Sequence, residues 1–305
     1  MDINVEKIVK KINISGTVRL HEPMSLHTSF RIGGPADLYT RPSNREDLEQ
    51  LLFIARTMEI PVFILGGGAN ILVSDRGIRG IVIDMTVFTD IRVEDEMVVS
   101  GAGAPVSMVS ERAAESGLGG LEFIYKMPGS LGGALWMNAR CYGRSIGDIP
   151  GWIDFLDSRM NERRIDIPSD QFDYKRSPFQ TNGAILLQAG FRLKPGTPGN
   201  IRKRMREIEE DRRKKGHFDY PSAGSVFKNN RSFGQPTGAL LDDLGLKGLC
   251  HGGAQIAPFH ANIIINTGNA TAGDVSFLVS YARETAYKKK GIKLEPEIRF
   301  VGDWQ

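Results

Sequence analysis

Apolar residues recur along this chain at two spacings, one helical and one strand-like, and the switches between them mark out its elements. Between residues 44 and 58, Leu48, Leu51, Leu52, Ile54 and Ala55 share a face at helical spacing, and Asn44 stands where an N-cap belongs. Residues 104 to 116 read as a second helix closed by Gly117 and the Gly119–Gly120 pair. Residues 201 to 215 form a charged helix with Ile201, Met205 and Ile208 on its apolar side. Residues 237 to 244 are a short helix, and residues 272 to 289 a long one with Val275, Leu278, Val279 and Ala282 inward. Short apolar or alternating runs predict strands at 62–65, 71–73, 81–83, 91–100, 184–193 and 262–266, and a last one at the C-terminus, entered through Pro296 with Glu297 just inside. Residues 152–158 and 163–167 pair as a hairpin about Asn161–Glu162. Residues 27–37 read as a strand broken by Gly33–Gly34–Pro35. The first 20 residues read as a short polar amphipathic helix with a peripheral lead-in. Lys194 to Gly199, rich in Pro and Gly, is the best linker and sets a domain boundary.

Glycine is abundant, 35 of 305 residues, and clustered. The strand at 62–65 runs straight into Gly66–Gly67–Gly68–Ala69–Asn70, where bare backbone N–H groups can meet an anion that side chains would otherwise keep away. Some 60 residues on, Pro128–Gly129–Ser130–Leu131–Gly132–Gly133 feeds an apolar helical segment, a second loop suited to phosphate. The pair looks like two walls of one dinucleotide site, although neither matches a P-loop or a Gly-x-Gly-x-x-Gly helix opening. A third stretch, Pro221 to Asn229, compresses Gly224, the Ser225 hydroxyl, Lys228 and Asn229 into what reads as one turn.

Charge and composition narrow the chemistry. A net charge of +3 is too small for a nucleic-acid binder by charge alone and is compatible with an anionic small substrate. Cys141 and Cys250 stand far apart and fit no metal or redox spacing, and the five histidines do not cluster, so no metal is expected. No apolar run approaches the roughly 20 residues of a membrane span, and the N-terminus reads as lacking a signal peptide. A reducing cytoplasm follows as the expected location.

The order of these stretches resembles the UDP-N-acetylenolpyruvoylglucosamine reductase (MurB) family, in its compact type II branch, over nearly the whole chain. The resemblance is carried by residues 28–35, Leu65 to Val73, Pro128 to Ala134, Met137–Asn138–Ala139, Pro221 to Asn229, Gly248 to His260 and Leu294 to Arg299. It implies an α+β chain: an FAD-binding fold of the vanillyl-alcohol-oxidase (PCMH) type over residues 27–196, in two subdomains of about 27–88 and 89–196, after a lead-in at 1–26. A C-terminal α+β domain over 200–305 would bind the UDP-sugar. It further implies non-covalent FAD held by Gly66, Gly67, Gly68, Ala69, Asn70, Pro128, Gly129, Ser130, Gly132 and Gly133. NADPH would be the hydride donor, and the activity would be reduction of UDP-N-acetylglucosamine enolpyruvate to UDP-N-acetylmuramate for peptidoglycan synthesis, by a cytoplasmic monomer binding neither nucleic acid nor membrane. Tyr174, Lys228, Asn229, Gln255 and His260 match substrate-binding positions.

The same resemblance makes Ser225 the proton donor to C2 and Glu297 the partner of a cation that stabilises an enolate-like intermediate. The residue types suit the chemistry: hydride addition to an unsaturated carboxylate builds negative charge on its carboxyl group, which a cation and a donor favour, and a hydroxyl can then protonate carbon. Glu297 would need to be protonated or paired, since a bare carboxylate repels that charge. The chain departs from the family where the pattern places arginine after the tyrosine: here that residue is Lys175, with Arg176 next. On an extended segment the two would face opposite sides, and either register is open, with Ser177 favouring Lys175. Ala69 for the usual Ser and Lys126 for the usual Gly are smaller departures. Two other readings stand beside this one: a flavin oxidase on the same cofactor fold, and a UDP-sugar-binding module without activity.

Overall fold

The computed structural model describes the backbone from Val5 and the side chains from Lys7 through Gln305. After helix α1 (Val5–Val9), three sheets follow one another along the chain. In the first, β1 (Thr17–Pro23), β2 (Pro35–Arg41), β5 (Ile78–Asp84) and β3 (Val62–Leu65) lie side by side in that order. β1 is antiparallel to β2, and β5 is parallel to both β2 and β3. Alternate residues face opposite sides. Leu38, Ile81 and Ile83 pack on Leu48 and Leu51 of α2 (Arg45–Thr57), while Tyr39, Val82 and Leu65 pack on Met24. The expected cap is present: the Asn44 side chain accepts from Asp47 N at 2.8 Å. β4 (Ile71–Val73) follows the first glycine loop.

Two readings of this region need correction. Residues 17–23, expected as lead-in, form the edge strand β1, the first four residues of the expected helix lying outside the described part. The expected strand over 27–37 begins only at Pro35. Arg31 takes a left-handed φ of 54° and Gly33 a φ of 142°, so the chain there turns back on itself instead of running extended.

The second sheet is antiparallel throughout, in the order β12 (Glu162–Ile167), β11 (Gly151–Leu156), β13 (Ile185–Arg192), β7 (Met97–Gly101) and β6 (Ile91–Glu94). The single strand expected over 91–100 is a hairpin, turned at Asp95 with φ 52°. The face of this sheet is covered by α3 (Val106–Glu115) and α4 (Leu131–Trp136), with Val98, Val109, Ala113, Leu131, Leu135, Ile153, Ala189 and Phe191 buried between them. Two-residue ladders trim the edges: β8 (Leu118–Gly119) with β14 (Lys194–Pro195), and β9 (Arg140–Cys141) with β10 (Arg144–Ser145). The Pro198 start of α5 (Pro198–Lys214) follows directly on β14. The helix buries Ile201 and Met205 against Ala114 of α3, so the helix expected to open the C-terminal segment packs on the second sheet's layer.

The third sheet runs β15 (Ser222–Ser225), β18 (Ile263–Asn266), β17 (Ala254–Ile256), β16 (Cys250–His251), again antiparallel, under α6 (Thr237–Asp243) and α7 (Ala272–Lys290). Pro221 to Asn229 is therefore mostly an edge strand and its exit, not one turn. Its ladder shifts register between Ser222 and Ser225, where Gly224 takes φ 73°, the bulge that a side chain would disfavour.

The third sheet's layer is fastened to the first. β19 (Arg299–Val301) pairs in parallel with β4, and Phe30, Ile32 and Leu72 join the core of α6 and α7. Ser29 Oγ donates to the Ser222 carbonyl at 2.7 Å. The Asp75 carboxylate accepts from Ala272 N and Gly273 N at 2.8 and 2.9 Å, capping α7 from another sheet's loop alongside the helix's own Thr271–Asp274 capping box.

Candidate active site

The two glycine loops meet. Gly67 N and Gly133 N both donate to Ser130 Oγ, at 3.2 and 3.4 Å. A Cβ on Gly66 would stand 2.2 Å from that oxygen, and one on Gly67 would stand 2.7 Å from Gly129 Cα, so these glycines are required first by the contact between the loops. Gly68, at φ 61°, accepts from Ser29 N through its carbonyl. Gly132 lies against Ala102, to which it donates at 2.7 Å, and Pro128 is exposed. Among the described residues, the N–H groups of Gly68, Ala69 and Ser130 donate to no protein acceptor. Such a set of free donors on two adjoining loops is what a pyrophosphate needs.

Beside Gly66 and Gly67 opens a cavity of about 420 Å³, also lined by His27, Thr28, Ser29, Tyr39, Asp84 and Thr86. Tyr39 stacks on His27 with ring centroids 4.2 Å apart and donates to Asp84 Oδ2 at 2.5 Å, and burial together with that carboxylate pushes the phenol's pKa up. None of Tyr39, Asp84 or His27 carried a sequence signal beyond membership of an apolar strand or its flank. A loop-and-helix motif points to a cofactor, but the side chains that wall its cavity come from strands read only as core.

The second cluster lies where the third sheet's layer meets β4. Lys175 Nζ is bonded to Glu297 Oε1, with the two side chains only 12% and 10% exposed. Glu297 N donates to the Val226 carbonyl at 2.7 Å, next along the chain from Ser225. Tyr174 accepts from Asn229 N through its hydroxyl at 3.3 Å. Lys228 Nζ pairs with Glu295 at 2.6 Å, and Asn229 Oδ1 accepts from Thr237 N at the start of α6. Ser225 is half-buried, and its hydroxyl has no partner among the described residues, so it is free to meet a ligand. Glu297 thus has a paired cation in Lys175.

The segment holding Lys175 is not extended. Asp173 and Arg176 exchange backbone bonds across a tight turn, and Lys175 sits inside it at φ 57°. The turn sends Lys175 to Glu297 and leaves Arg176 exposed, with no side-chain partner among the described residues. Ser177 Oγ and Gln180 Nε2 both donate to the Trp136 carbonyl, at 2.6 and 3.0 Å, and Gln180 also donates to the Lys175 carbonyl, which holds the turn against α4.

Among the described residues, Gln255 and His260 make no side-chain hydrogen bond to this cluster. Gln255 donates to the Gly248 carbonyl at 3.1 Å within its own hairpin. His260 Nδ1 accepts from Asn262 N and faces His217, ring centroids 6.3 Å apart. Burial, reinforced by Arg212, pulls the His217 imidazole down to about 4. Burial lowers His260 as well. One further contact had no sign in the sequence: Trp136 lies under the Arg299 guanidinium, 4.3 Å from the ring centroid, although 163 residues of chain separate elements that only the tertiary fold brings together. Among the described residues no group of acidic, histidine or cysteine side chains is arranged to hold a metal.

Comparison with known proteins settles which family built this site. The profile described as "UDP-N-acetylenolpyruvoylglucosamine reductase, C-terminal domain" matches residues 216–301, and that described as "FAD binding domain" matches residues 36–157. A UDP-N-acetylenolpyruvoylglucosamine reductase from Treponema denticola is 42% identical over 95% of both chains, and one from Caldanaerobacter subterraneus subsp. tengcongensis is 41% identical over 99% of both. This chain belongs to the UDP-N-acetylenolpyruvoylglucosamine reductase family. The crystal structure of the Thermus caldophilus member superposes with a TM-score of 0.79 at 31% identity, covering 95% of this chain and all of that one. The fold is accordingly the α+β flavin-binding arrangement expected, with the family's own C-terminal domain behind it.

Proposed function

We propose that this chain reduces UDP-N-acetylglucosamine enolpyruvate to UDP-N-acetylmuramate, using NADPH through bound FAD, as a step in peptidoglycan precursor synthesis. The observation that carries this reading is the Lys175–Glu297 pair set beside the Ser225 strand, within a chain of this family. FAD held by the glycine loops would supply the route by which hydride passes from NADPH to the enolpyruvyl carbon. The chain's own residues do the rest. The free donors of Gly68, Ala69 and Ser130, with Gly66, Gly67, Pro128, Gly129, Gly132 and Gly133 shaping the loops, bind the pyrophosphate. Lys175 places positive charge where the substrate carboxylate gains negative charge. Glu297, neutralised by Lys175, lies against that group without repelling it. Ser225 delivers the proton to C2.

Tyr174, Lys228 and Asn229, of which Tyr174 and Asn229 are joined through the Asn229 N–Tyr174 hydroxyl contact, bind the nucleotide-sugar together with Gln255 and His260. Residues 27–196 form the flavin domain and 200–305 the substrate domain, with α5 bridging the two. The protein acts as a cytoplasmic monomer without nucleic-acid or membrane partners; among the described residues no helix is long and apolar enough to cross a membrane.

The test is one anaerobic absorbance series on the purified protein. A yellow flavin spectrum should bleach on adding NADPH and return on adding the enolpyruvyl UDP-sugar. Reoxidation by oxygen alone, with none by that substrate, would point instead to an oxidase, and a colourless protein would remove the flavin reading altogether.

A further inference from the structure

Asn70 closes the first glycine loop and reads, from sequence, as one more cofactor residue. Its side chain is turned the other way. Asn70 Nδ2 donates to the Glu297 carbonyl at 3.1 Å, and the Asn70 carbonyl accepts from Arg299 N at 3.0 Å. On the other side of Glu297, its N–H donates to the Val226 carbonyl at 2.7 Å, while Val226 N donates to Asn262 O at 2.8 Å. The peptide plane before the Glu297 Cα is therefore pinned to the strand that carries Ser225, and the plane after it is held by Asn70 Nδ2 at the Glu297 carbonyl and, at the longer distance of 3.4 Å, by Ile298 N donating to the Val226 carbonyl. From a backbone held in this way the Glu297 side chain reaches Lys175.

We infer that Asn70 is a positioning residue: its carboxamide holds the Glu297 backbone so that the Glu297 carboxylate stays against Lys175 and in register with Ser225, linking the flavin loop to the proton-delivery side of the site. The inference rests on the roles given above to Glu297 and Ser225. Asn70 is not needed to dock the C-terminus, because β19 pairs with β4 at Arg299–Ile71, Phe300–Leu72 and Val301–Val73. What its side chain adds is the shorter of the two hydrogen bonds that hold the peptide plane after Glu297, the other being Ile298 N to the Val226 carbonyl at 3.4 Å. A donor is required, since the group it meets is a carbonyl. Aspartate has the same shape but offers only acceptors at neutral pH, and alanine offers nothing.

The test uses Asn70→Ala and Asn70→Asp in the full-length holoenzyme. Flavin content after gel filtration and the rate of bleaching by NADPH should stay within about 3-fold of wild type, since neither needs Glu297 in place. The limiting rate of reoxidation by the enolpyruvyl UDP-sugar should fall by about 10- to 100-fold, as a small misplacement of a reacting group does, while the half-saturating concentration changes little. In a Glu297→Gln background the further loss from Asn70→Ala should nearly vanish, because the two act as one unit. Loss of flavin from Asn70→Ala would make Asn70 a cofactor ligand and overturn the inference. So would equal slowing of both half-reactions, wild-type reoxidation, or full additivity with Glu297→Gln. If Glu297→Gln alone reoxidises normally, the role given to Glu297 fails and this inference falls with it; if Glu297→Gln is slow and Asn70→Ala is not, the inference alone falls.

Discussion

Lys175 and Glu297 stand 122 residues apart in the chain and form a nearly buried ion pair. Each is costly to bury alone, and removing either strands the other charge in a site with little water. The pair therefore holds the 173–176 turn to the C-terminal segment.

Lys175→Met is expected to slow flavin reoxidation by the enolpyruvyl substrate by roughly 10²–10³-fold, the range for losing a group aimed at developing charge. Arg176→Met is expected to be nearly silent, because the Arg176 side chain is exposed and has no partner among the described residues. Rapid-mixing measurements of the two variants check this; the reverse ranking would move the active cation to Arg176.

Ser225→Ala separates the two half-reactions. Bleaching by NADPH requires no proton at C2 and is expected to persist, while reoxidation slows by roughly 10²–10⁴-fold. Equal slowing of both would make Ser225 a residue of binding or folding.

FAD is expected to leave the protein on acid precipitation, with all flavin in the supernatant. Cys141 is the one thiol near the second loop, and it donates to the Phe123 carbonyl at 2.7 Å, while burial pushes its pKa up. A thiol kept protonated is a poor nucleophile toward a flavin ring. Yellow colour in the pellet would contradict this.

Stability is expected to fall as pH drops from about 6.5 toward 4. His217 is held neutral in the folded state, its pKa pulled down to about 4, whereas the unfolded chain takes up the proton near its ordinary value. The unfolded state thus binds more protons across that window, and lowering the pH favours it. His260 works in the same direction. Melting temperatures of wild type and His217→Gln over this range check the point: the variant's curve should be the flatter.

Much of this protein could be read along the chain. The N-cap at Asn44, the glycine stop of α3 at Gly117 and the long helix from Ala272 depend on residues within a few positions of one another, and they lie as their local pattern requires. The glycine loops were legible because close backbone approach restricts the residues that can stand there, whereas the Ser225 stretch, read as one turn, is an edge strand bulged at Gly224. Other features were decided only in three dimensions. Residues 17–23 became a strand because β2 offers them a partner, and Asp75 caps a helix that begins 197 residues later. The orientation of Lys175 depends on a left-handed turn closed by Asp173 and Arg176 and braced by Gln180, whereas an extended reading could only leave two registers open. Asn70 faces Glu297, and Tyr39 and Asp84 wall a cavity, through contacts between segments whose separation in sequence carries no information about their distance in space. Local backbone preferences act over a few residues and are written in order; the direction of a side chain at a site is set by whichever distant carbonyl or charge the packed core brings beside it.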